Sequence, residues 1–82
     1  MAPQARISLP PALDGLTRGE MERVIAQANI GRENEQIARL YYIDRMPQVD
    51  VAAEVYLAQS TIKRRLPKIL NKMQIAQKRL KS

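Results

Sequence analysis

Gln59, Ser60, Lys63 and Arg64 are the residues of this sequence whose types and spacing could do chemistry. Positions i, i+1, i+4 and i+5 fall on one side of a helix, so the four side chains would form one polar face. An amide, a hydroxyl, an ammonium and a guanidinium on such a face can hydrogen-bond base edges or phosphate oxygens. The guanidinium fork matches guanine and the amide matches adenine, which makes Arg64 and Gln59 the better base readers of the four. Bond-making chemistry has little to work with. The chain has no His and no Cys, which removes the side chain that titrates near neutrality, the thiolate nucleophile and the nitrogen and sulfur ligands of zinc. Its eight carboxylates are scattered from Asp14 to Glu54, whereas carboxylate catalysis needs them clustered. The expectation is a binding protein, not an enzyme, with no cofactor.

The elements that must position this face can be read from periodicity and breakers. Residues 1–15 contain Pro3, Pro10, Pro11 and Gly15 and keep no period; they read as an extended arm, ordered only where Ile7, Leu9 or Leu13 finds a groove. Thr17 followed by Glu20 has the form of a capping box. It predicts a first helix to about Asn29, with Met21, Val24, Ile25 and Ala28 inward and Gly31 as its stop. A second helix is predicted from about Arg32 to Arg45, with Ile37, Leu40, Tyr41 and the edge residue Asp44 on its inner face. Adjacent Tyr41 and Tyr42 point about 100° apart on a helix, so one is core and the other lies at its edge. Pro47 suits the start of a short third helix over about Gln48 to Val55. After Tyr56 and Leu57 a fourth runs from about Gln59, with Ile62, Leu66, Ile69, Leu70, Met73, Ala76 and Leu80 spaced by threes and fours. Pro67 predicts a kink there, or a fresh helix with Pro67 in its first turn. The fold class is therefore all-α: a small bundle of four to five helices containing a helix-turn-helix, divided into the arm (1–15), the helical domain (16–73) and a basic helical tail (74–82).

Charge changes sign along the chain. Up to Glu54 there are six basic and eight acidic residues, and after Glu54 there are eight basic residues and no acid, so the two parts carry −2 and +8 of the net +6. A concentrated positive field is the electrostatic signature of a polyanion partner, although a basic helix can also simply be solvated. Met1 to Pro11 has no continuous apolar stretch, and no segment approaches the ~20 apolar residues that cross a bilayer. The expected location is the cytoplasm, in association with the nucleoid.

Between Gln48 and Leu66 these signals meet. Two short helices that cross closely need a small residue at the crossing, which Ala52 supplies, a tight turn soon after it, and apolar residues to lock the pair. Val51, Val55, Leu57, Ile62 and Leu66 are placed to do so. The second helix is then free to show Gln59, Ser60, Lys63 and Arg64 to a major groove. Thr61, Arg65, Lys68 and Lys72 are candidate phosphate contacts, joined by Gln48 at the start of the preceding helix. Lys78, Arg79 and Lys81 read as solvated.

The run Leu40-Tyr41-Tyr42-Ile43-Asp44, then Val51-Ala52 with Glu54, then Ser60-Thr61-Ile62-Lys63 with Arg65-Leu66 resembles the helix-turn-helix of the C-terminal, fourth region of bacterial sigma factors and related phage and mobile-element regulators. The similarity covers roughly residues 33–73. It implies a sequence-specific double-stranded DNA-binding regulator of transcription, with RNA polymerase as a possible protein partner. Three positions depart from the pattern. Tyr56 stands where most such motifs have Gly, Ala58 where Ser or Thr caps the recognition helix, and Pro67 interrupts that helix. A bulky residue at positive φ is strained by about 1 kcal/mol, so either the turn is unusual or Tyr56 packs usefully. Two alternatives stand beside this reading: a sigma-like module that binds RNA polymerase or another protein, and a DNA-recognition subunit of a packaging or recombination complex. The apolar stripe beyond Met73 also offers a homodimer contact through the C-terminal helix. If about six phosphates are neutralised, affinity should fall with salt at a log–log slope near −5.

Overall fold

The computed structural model describes residues 9–81, and among them every regular element is helical: α1 (Arg18–Gln27), α2 (Arg32–Ala38), α3 (Gln48–Val55) and α4 (Gln59–Lys81). A π-helical turn, Arg39–Ile43, continues α2 without a break. The long α4 is the axis of the bundle: α1, α2 and α3 all pack on it. Its inner stripe, Ile62, Leu66, Ile69, Met73 and Ala76, is buried and repeats at the three- and four-residue steps that keep one side of a helix facing the core. The residues Arg6 and Ile7, assigned from the sequence to the arm, lie outside the described residues.

Local chemistry accounts for most of the boundaries. The Thr17 hydroxyl accepts from the Glu20 amide at 3.1 Å, and the Glu20 carboxylate accepts from the Thr17 amide at 3.0 Å, a closed capping box at the head of α1. The hydrogen bond from the Thr17 amide, with the Thr17 side chain as a second contribution, holds the exposed Glu20 carboxyl below its ordinary pKa. At the other end Gly31 is not the stop of α1. The helix ends at Gln27, Asn29 takes the left-handed conformation (φ 54°), and Gly31 (φ 89°) is the N-cap of α2. Asn tolerates that conformation because its short polar side chain can bond locally.

Within α2 the sequence pattern predicted Tyr41 inward, four residues after Ile37. Tyr42 is buried instead, and Tyr41 is half-buried against it, with ring centroids 5.0 Å apart in an edge-to-face pair. The cause is the π turn. The Asp44 amide reaches back five residues to the Arg39 carbonyl at 3.0 Å, so the helix widens and position i+5 takes the inner place that i+4 holds in an α-helix. Burial pushes the Tyr42 hydroxyl up to about 12. Asp44 is exposed rather than part of the inner face, and accepts from Arg18 of α1 at 3.0 Å.

Two domain boundaries read from the sequence differ from the packing. Residues 10–15 form a turn in which the Leu13 and Asp14 amides donate to the Pro10 carbonyl, and the Leu13 side chain is fully buried with Met21, Val24 and Ile25. The part of the arm within the described residues is therefore anchored in the core through Leu13. The stretch after Met73 is not a detached tail either. Ala76 and Gln77 are buried, and Gln27 to Asn29 of the α1 end share a groove with Asn71 to Arg79. Glu20, at the opposite end of α1, feels the charge of Lys81; α1 thus lies antiparallel along the second half of α4.

The helix is continuous through Pro67, so no fresh helix begins there. Pro67 is exposed, which leaves the carbonyl it cannot serve, that of Lys63, on the solvent side of the helix. The burial of Ile69, Met73 and Ala76 beyond it supplies the tertiary packing that offsets the lost hydrogen bond.

Three residues separate α3 from α4. Tyr56 adopts φ 58° and ψ 40°, and its amide donates to Ala52, as does that of Leu57 at 3.0 Å. The turn has the left-handed geometry that Gly would favour, but Tyr56 does not pack: it is 94% exposed. Tyr56→Gly should therefore stabilise the fold by about 1 kcal/mol. For a domain of this size a thermal melt would show this as a midpoint roughly 4–8 °C higher; an unchanged or lower midpoint would mean that the ring contributes to the folded state.

Candidate nucleic-acid interface on α4

The structure brings the four residues of the opening face together. Gln59, Ser60, Lys63 and Arg64 occupy the first turn and a half of α4, all exposed, and none of their side chains makes a hydrogen bond or ion pair among the described residues. Ser60 and Arg64 point away from Ile62 and Leu66, whose burial fixes the rotation of the helix, while Gln59 and Lys63 lie nearer that buried stripe. The α3 contact fixes its tilt: Val51 and Ala52 are buried, and Val55 and Leu57 are half-buried against the core. Ala58 has no side-chain acceptor for the first amides of α4, and its carbonyl takes the Thr61 amide at 3.0 Å and the Ile62 amide at 3.2 Å.

The candidate phosphate contacts divide into two sets on either side of this face. Thr61, Arg65, Lys68 and Lys72 follow one another at four, three and four residues along the flank of α4 that looks toward the α1–α2 loop. There a groove of about 240 Å³ has Asn29, Ile30 and Asn34 on one wall and Arg65, Lys68 and Lys72 on the other. Gln48 lies on the opposite flank. It lines a groove of about 260 Å³ with Lys63, Leu66, Pro67 and the two tyrosines Tyr41 and Tyr42. The pair of grooves places polar groups on both sides of a single protruding helix edge.

Arg65 has a different occupation from the other cations. Its guanidinium donates to the Glu33 carboxylate and, at 3.3 Å, to the Asn34 side-chain oxygen, while the Asn34 amide donates to the Ile30 carbonyl at 3.1 Å. This chain of contacts ties α4 to the start of α2, so Arg65 would have to exchange Glu33 for an external anion. No feature of the sequence marked that role, because Glu33 and Arg65 are 32 residues apart. Two other ion pairs, Arg18–Asp44 and Arg39–Glu22, also draw on the acidic half of the chain. Lys63, Arg64, Lys68 and Lys72 have no such partner among the described residues.

Among the described residues no group of His, Cys, Asp or Glu could hold a metal ion, and no helix is long and apolar enough to cross a membrane. The chain matches no protein-family model, no curated protein and no solved structure.

Proposed function

We propose that this chain binds double-stranded DNA sequence-specifically. In this reading α3, the Tyr56–Ala58 turn and α4 act as a helix-turn-helix, and Gln59, Ser60, Lys63 and Arg64 enter the major groove. The observation that carries it is the exposed, unpaired face at the start of α4, on a helix that has no acid along its 23 residues. An acid-free helix surface attracts a polyanion without a repulsive counterpart on the same helix. The positive N-terminal end of α4, open at Ala58, adds to the attraction for phosphate. Lys68 and Lys72 on one flank and Gln48 on the other would straddle the groove and hold the backbone strands, while the four central side chains read base edges. Regulation of transcription would follow from occupying such a site.

Selection from a random duplex library tests the specificity: an enriched sequence supports it, and an unenriched pool would refute it. Salt titration of the bound duplex tests the electrostatics. With Arg65 held by Glu33 and Asn34, about four cations (Lys63, Arg64, Lys68 and Lys72) remain, and the log–log slope should be about −3.6. That is shallower than the six-phosphate value expected from the sequence. A slope near zero would overturn the electrostatic footprint.

A further inference from the structure

Tyr56 raises a question that the DNA reading does not answer. A bulky residue holds a strained left-handed backbone and buries nothing in return: φ is 58° and the side chain is 94% exposed. Its surroundings argue against a nucleic acid. On the exposed side of α3, Val49 (55% exposed), Ala53 and Tyr56 follow at four and three residues and make an apolar strip. Asp50 and Glu54, four residues apart, run beside it, exposed and with no ion-pair partner among the described residues. Two unpaired carboxylates would repel phosphate, and in a chain of net charge +6 they mark a face suited to a basic, partly apolar surface.

Such a surface lies on the same molecule. Toward the end of α4 a groove of about 310 Å³ is lined by Ala28, Ile75 and Ala76, by amide side chains, and by Lys72 and Arg79. Ile75 is 44% exposed. From Gln59 to Ile75 the helix advances about 24 Å, so Tyr56 cannot reach this groove within one chain. We propose that Tyr56 of one copy inserts into the Ile75 groove of a second, with Asp50 and Glu54 facing Lys72 and Arg79, so that copies associate head to tail. An aromatic residue with a polar tip is the usual anchor of such contacts.

The contact differs from a symmetric dimer through the C-terminal helix, which the structure does not favour. Ile75 and Leu80, the exposed apolar residues there, are five positions apart and point about 140° from each other, so they form no seam. A head-to-tail contact joins two different surfaces, so a pair keeps one free head and one free tail and association continues past the dimer, into an open filament or a ring of several copies.

Sedimentation of the full chain in low salt, without DNA, tests this independently of the DNA reading. The patch is small and the association weak, so concentrations from about 10 µM to about 1 mM are needed. The mass should rise past that of a dimer across this range and fall back as salt is added. Tyr56→Gly lacks the head and Ile75→Asp lacks the tail, so each alone should remain monomeric. An equal mixture should form a dimer and stop there, because each variant supplies the surface that the other lost. Arg79→Glu serves as a second tail variant if Ile75→Asp lowers the melting temperature. Tyr56→Gly relieves backbone strain, so its loss of association cannot come from misfolding. A wild-type chain that stays monomeric throughout, a closed dimer, or a mixture that fails to associate would each overturn the proposal.

Discussion

Lys63→Ala combined with Arg64→Ala should weaken binding to the selected duplex by about 30- to 1000-fold while leaving the thermal midpoint unchanged. A bidentate arginine–base pair is worth about 1–3 kcal/mol and each tenfold change in affinity about 1.4 kcal/mol, with the lysine adding a phosphate or base contact. Stability is expected to hold because both side chains are exposed and neither has a partner in the fold. The two effects need one duplex titration by fluorescence anisotropy and one melt by circular dichroism. Base reading and charge can be separated within the same measurement. If Arg64 reads a base, the single Arg64→Ala variant should lose discrimination at one position of the site. If Lys63 touches only phosphate, Lys63→Ala should weaken all sequences alike and reduce the salt slope by about one. A double variant that binds within threefold of the wild type would remove α4 as the reading helix.

What could be read in advance follows from which interactions are local. The capping box at Thr17 and Glu20, the start of α3 behind Pro47 and the start of α4 at Gln59 depend on residues within four positions of each other, and each stands where the sequence put it. The inward stripe of α4 was equally plain, since one helix carries the whole period from Ile62 to Ala76. Other features escaped because a distant contact decides them. The π turn exchanges Tyr41 for Tyr42 in the core, and its cost is offset only when the neighbouring helices pack around the ring at its new place. Pro67 stays within a continuous helix because residues on both sides of it are buried. Arg65 reads as one more phosphate contact until Glu33 and Asn34, on a different helix, are seen to hold it. The candidate face itself was legible as a helical spacing of polar residues. Its separation into a central edge and two flanks was not, because the flanks are made with the α1–α2 loop and with Gln48 and the tyrosines.

Leu13→Ala tests the other departure. A leucine to alanine change at a fully buried site costs about 2–5 kcal/mol through lost transfer energy and the cavity left behind. Leu13 is completely shielded and belongs to the same cluster as Met21, Val24 and Ile25. A domain of this length has only a few kcal/mol of stability to lose. The thermal midpoint should therefore fall by roughly 10–25 °C. An arm that merely trailed over the surface would give a change of a degree or two, and that result would return residues 10–15 to the arm read from the sequence. The effect on DNA binding follows from the location of the two regions. Leu13 lies just ahead of α1, which packs along the second half of α4, whereas the reading face occupies the first turns of that helix. Well below the new midpoint, Leu13→Ala should bind the selected duplex with undiminished affinity, and binding should disappear only as the folded fraction does.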